Sequence, residues 1–122
     1  MSRRERVAVQ IQTCHAYMVF VVSQSADVRQ RFRFLIGNDT HTVITMTPWR
    51  LPLYIMMRRI HPRIIFLDNA SITQRLVHWI NHSFDNTEII LIVAANQQVR
   101  LPSAILQVRP NSTKEQIQAL LP

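Results

Sequence analysis

Asp68 holds the position best suited to chemistry, because it closes the apolar run Ile64-Ile65-Phe66-Leu67 with a carboxylate. At the end of a central strand such a group can cap the following turn or pair with a cation such as Arg109. His78 and His82 stand one helical turn apart, a spacing that can share a metal ion with His15 or Cys14 as a third ligand. Trp79 and Ile80 already define the buried face beside them, and no carboxylate is spaced to orient the imidazoles, so a solvated helix edge is the plainer reading. Arginines at 3, 4, 6, 29, 31, 33, 58 and 59 can form a basic face for phosphate contacts, or simply wet helix surfaces. Trp49, Tyr54, Met56 and Met57 read equally well as a partner surface or as core filler.

Several chemistries lack their residues. Gly37 is the only glycine, so there is no glycine-rich loop through which a backbone could approach a pyrophosphate. There is no Gly-x-Ser-x-Gly elbow, and no Cys-His spacing nominates a nucleophile. Cys14 is the only cysteine, which rules out an intrachain disulfide and a four-cysteine zinc site. An enzyme is therefore not expected, and no cofactor is implied. No helix-turn-helix, zinc-finger or RNA-recognition signature accompanies the arginines, which leaves nucleic-acid binding as a secondary reading.

A chain of 122 residues with 48% hydrophobic and 17% charged side chains suits one self-folding domain around one core. The longest apolar stretches, 16–22 and 89–95, fall far short of the roughly 18 to 20 residues needed to cross a bilayer, so no membrane insertion is expected. The basic start is followed by an alternating segment where a signal peptide would need an apolar run, and the expected location is cytoplasmic. The formal charge of +7 suits an acidic partner, a nucleic acid, an anionic surface, or mere solubility.

The elements that must position these groups alternate along the chain. Val7, Val9 and Ile11 alternate with polar or small residues, the period of an extra N-terminal strand within an extension over 1–16. Residues 17–22 run apolar without alternation, as in a parallel strand covered on both faces. Ser25 or Ser23 can cap the next helix, whose stripe is Val28, Phe32, Leu35 and Ile36, and Gly37 fits its C-terminus as a left-handed residue. A strand over 42–46 follows, then a helix ending near Ile60 with Pro52 in its first turn. After the strand ending at Asp68, Ser71-Ile72-Thr73-Gln74 reads as a capping box for a third helix. Strands over 88–93 and 104–108 are joined by a stretch too short and irregular for a full helix, and Ser112-Thr113-Lys114-Glu115 reads as a second capping box. Strands alternating with helices predict an α/β fold of parallel βαβ units.

With the elements placed, about residues 17 to 121 resemble the receiver domain of bacterial response regulators. Residues 21–30 resemble the family's first strand and the start of its first helix; residues 61–68 resemble the third strand, which ends in the phosphoacceptor aspartate, here Asp68. Residues 76–80 and 87–95 are similar to the third helix and fourth strand, and Arg109-Pro110 stands where the family has Lys-Pro. The resemblance implies a three-layer, doubly wound, five-stranded parallel sheet in the order 2-1-3-4-5, flavodoxin-like, with the fourth helix shortened and the site at the strand C-termini.

Phosphoryl transfer to an aspartate needs a hard divalent ion, held chiefly by carboxylates. In receivers an acidic pair after the first strand supplies them; here that place holds Ser23 and Gln24. The switch hydroxyl falls on Ala94, and the lysine becomes Arg109, which keeps the charge but not the compact ammonium. The expectation is a pseudo-receiver, related to two-component signalling, that binds a protein partner without phosphorylation. A response regulator phosphorylated on Asp68 and a small basic nucleic-acid-binding protein are the alternatives. The strand over 6–13 can cover its own sheet or add to a neighbour's, which leaves a homodimer open.

Overall fold

The computed structural model describes residues 17–37, 41–58, 61–84, 86–101 and 105–121. Five strands, β1 (Tyr17–Val22), β2 (His41–Met46), β3 (Ile64–Asp68), β4 (Glu88–Ile92) and β5 (Leu106–Val108), form one sheet in the order β2-β1-β3-β4-β5. Every pairing is parallel; Val22 lies beside Met46 on one side and Leu67 on the other. The sheet is therefore built of the parallel βαβ units that the order of elements predicts, in the doubly wound strand order that the resemblance implies. The extra strand over 6–13, together with Cys14, His15 and Arg3, Arg4 and Arg6, lies outside the described residues.

Four helices cover the sheet: α1 (Ala26–Ile36), α2 (Arg50–Arg58), α3 (Gln74–Ser83) and α4 (Lys114–Gln118). Because successive side chains of a strand point to opposite faces, each central strand feeds two cores. Phe20, Val22, Ile65, Leu67 and Leu91 pack with Leu51 and Ile55 of α2 and Leu76 and Ile80 of α3. Val19, Val21, Ile64, Phe66 and Ile90 pack with Phe32, Leu35 and Ile36 of α1 and Ile117 of α4. The Phe32 and Phe66 rings meet at 5.7 Å in a tilted contact. Burying such a side chain is worth about 1.5–3 kcal/mol, which is why residues 18–22 of β1 and 64–67 of β3 are all apolar.

Between β4 and β5 the described residues contain no helix, only a turn closed by Gln97 N–H donating to the Ala94 carbonyl at 3.1 Å. Leu101, buried against the core shared by α2 and α3, supplies the apolar side chain a helix would have brought.

Three end signals resolve differently from the sequence reading. Thr73, not Ser71, caps α3, its hydroxyl accepting from Leu76 N–H at 3.2 Å; Ser71 belongs to a 3-10 turn over Asn69–Ser71. Thr113 and Gln116 make the capping box of α4, one residue later than expected, because Ser112 is engaged with Arg109. Gly37 does end α1, but at φ −56° and ψ 125° it is not left-handed. Space is what demands glycine there: an added Cβ would lie 2.7 Å from the Arg33 carbonyl oxygen.

Candidate functional site

Because all strands run parallel, the residues following β1, β4 and β5 gather with Asp68, the last residue of β3, at one end of the sheet. The chain order reverses between β1 and β3, so the crevice outside their C-termini is where open α/β sheets usually bind ligands. Ser23 and Asp68 meet at that point. Ser23 is fully buried, and its Oγ donates to Asp68 Oδ2 at 2.7 Å while accepting from Ser25 N–H at 3.0 Å. Asp68 is 9% exposed; its Oδ1 accepts from Ala70 N–H at 3.0 Å and so caps the 3-10 turn. Of the roles the sequence left open to this carboxylate, turn capping is the one the geometry displays. No ion pair joins it to Arg109 among the described residues: Arg109 Nη1 donates to the Val93 carbonyl at 3.1 Å.

The other expected site residues lie around this pair. Gln24 is exposed, and its N–H donates to Ser71 Oγ at 3.0 Å, linking the turn after β1 to the turn after β3. Ala94 offers no hydroxyl; its N–H is held by Gln97 Oε1 at 3.0 Å. Arg109 is anchored by Ser112, whose Oγ accepts from its N–H at 3.1 Å and donates to its carbonyl at 2.7 Å.

Asn69, which the sequence reading passed over, ties the site to the shortened connection. It is buried; its Nδ2 donates to the Gln98 carbonyl at 2.7 Å and its Oδ1 accepts from Arg100 N–H at 3.0 Å. Arg100 Nη1 reaches back to the Ile72 carbonyl at 2.8 Å. Asp-Asn directly after an apolar run is turn chemistry, and that dipeptide was the signal available.

A divalent ion of the kind receivers use does not fit these residues. Asp68 would be its only carboxylate here, one oxygen receives the Ser23 hydroxyl and the other the Ala70 amide, and the described residues hold no cluster of three His, Cys, Asp or Glu able to bind a metal. Hard cations need concentrated negative charge to repay their lost hydration, and the pocket offers hydrogen-bond donors to Asp68 instead.

Other candidates separate. The His78 and His82 rings lie 4.4 Å apart on the exposed edge of α3. The arginines of α1 do not form one free face: Arg29 Nη1 donates to the Ser23 carbonyl, and Arg31 binds the carbonyls of Pro110 at 2.7 Å and Ser112 at 3.1 Å. Trp49 is 61% exposed and Met57 81%, with Met56 and Leu53 also outward, whereas Tyr54 packs edge-on against Phe20 at 5.4 Å. The α2 stripe thus divides, with Tyr54 packed against the core and the tryptophan and methionines toward solvent. Beside them a groove of about 440 Å³ opens between α2 and α3, lined by Trp49, Leu53, Leu76 and Trp79, with Gln24 and Ser71 also in its lining.

No family model matches the chain, and no curated protein matches it. No helix among the described residues is long and apolar enough to cross a membrane.

Proposed function

We propose that this chain is a receiver-like module that works through protein–protein contact, independently of phosphorylation, within a signalling or regulatory assembly. The Ser23–Asp68 hydrogen bond carries the reading. Where the receiver resemblance calls for an acid that helps hold a metal, a buried hydroxyl instead engages the candidate phosphoacceptor. Ala94, which offers no hydroxyl, and Arg109, whose Nη1 donates to the Val93 carbonyl, support the same reading. A lone cysteine with no disulfide framework suits a reducing compartment, and the role fits the cytoplasm.

Incubation with acetyl phosphate and Mg²⁺, followed by phosphate-affinity electrophoresis, tests this directly. The expected result is no shifted band. Robust Mg²⁺-dependent labelling that disappears in Asp68→Asn would replace the proposal with a working response regulator.

A further inference from the structure

We infer that the groove between α2 and α3 binds an acidic, amphipathic segment of a partner protein; this rests on the interaction-module reading above and assigns its surface. The groove is floored by Leu76 and walled by Trp49, Leu53 and Trp79, a set that buries apolar side chains well. A shallower hollow of about 250 Å³ continues it along α2 through Trp49, Leu53 and Met57. Together they run the length of α2, nine residues or about 13 Å, enough for two turns of a docked helix.

Charge selects the occupant. Arg75 lines the groove and Arg50 the hollow, both exposed, and among the described residues no acidic side chain lines either. Neither guanidinium makes an ion pair among the described residues; Arg50 instead lies 5.1 Å from the centre of the Trp49 ring. The chain's own residues 1–16 bring Arg3, Arg4 and Arg6 against a single Glu5, the wrong sign for this rim. A second copy carries +7 and, in a two-fold contact through this face, would bring two copies each of Arg50 and Arg75 into one interface with no acid lining it among the described residues. A nucleic acid needs a longer track of cations than two arginines around aliphatic walls. A segment with leucine or aromatic anchors on one face and carboxylates flanking them satisfies both the walls and the rim.

The experiment is a selection from a random-peptide display library on the full chain, followed by titration of the synthesised best binder. The protein's only two tryptophans, Trp49 and Trp79, both line the groove, so their emission reports occupancy directly. Support would be selected peptides pairing apolar anchors with Asp or Glu, a blue-shifted emission on binding, and affinity that falls with salt. Arg75→Glu and Leu53→Glu, both on the exposed surface, should each weaken binding at least tenfold, while Arg33→Glu on α1 leaves it within twofold. Circular dichroism checks that the variants remain folded. Neutral or basic winners, binding indifferent to Arg75→Glu, displacement by an oligonucleotide, or a dimer in sedimentation that Leu53→Glu dissolves would each overturn the assignment. Such a failure leaves the Asp68 labelling result untouched, so failure of the groove assignment is told apart from failure of the reading on which it rests.

Discussion

Ser23 Oγ donates a 2.7 Å hydrogen bond to Asp68 Oδ2, joining the C-terminal ends of the adjacent parallel strands β1 and β3. The hydroxyl is fully buried and also receives the Ser25 amide, so one side chain closes both the strand-to-helix turn and the carboxylate. Ser23→Ala leaves a buried carboxylate oxygen and an amide short of a partner each. Its expected cost is about 1–3 kcal/mol, read as an earlier denaturation midpoint in urea with an unchanged slope. An unchanged midpoint would mean that water replaces the hydroxyl without loss.

Acids introduced beside Asp68 should create cation binding. The double variant Ser23→Asp, Gln24→Asp places carboxylates beside Asp68, where mutual repulsion destabilises the fold unless a cation enters. Its melting temperature should be lower than the parent's in EDTA and rise by several degrees in millimolar Mg²⁺, while the parent responds to neither. Calorimetric melting in the two buffers decides it.

Asn69→Ala removes the bridge between the turn after β3 and residues 98 and 100. Both the Gln98 carbonyl and the Arg100 amide then depend on solvent, at an expected cost of about 1–2 kcal/mol. The released connection should be cut faster by trypsin at Arg100, with the fragments identified by mass spectrometry.

Gly37 separates two explanations of one residue. If the left-handed conformation were the reason for glycine, Gly37→Asn would be tolerated better than Gly37→Ala. With the Arg33 carbonyl 2.7 Å from any Cβ, both should destabilise alike, by about 1 kcal/mol or more. Paired urea titrations of the two variants check it.

At the opposite end of the sheet, burial lifts the Tyr17 phenol above its ordinary value of 10.0, with Arg63 pulling the other way. Below that value the phenol is protonated in the folded and unfolded chain alike, and its contribution is fully present. As the pH climbs past it, the unfolded chain ionises first and stability is lost. Tyr17→Phe should flatten this alkaline decline, measured as urea midpoints across the range.

The central strands were legible because β1 and the first four residues of β3 are apolar, and the alternation of strands with helices gave parallel βαβ units, whereas the strand order came from the receiver resemblance. Asp68 could be placed for the same reason: a single acid ends such a run. What Asp68 does was not legible, since turn capping, ion pairing and phosphorylation all use one carboxylate, and only the positions of Ser23, Ala70 and Arg109 separate them. The caps slipped where two hydroxyls stood side by side or nearly so. Ser71 and Thr73 both can cap, and the choice fell to Thr73 because the Gln24 amide, distant in sequence, claims Ser71. The exposed face of α2 was undecidable for a similar reason, as Tyr54 and Met57 share one helix and differ only in which neighbours the fold brings to them.

The flank formed by β5 and α4 is slight: three and five residues, with β5 bonded to the sheet along β4 alone among the described residues. Its release uncovers Val108 and Ile117 but leaves the ladders among β2, β1, β3 and β4 whole. Amide hydrogen exchange should therefore begin there.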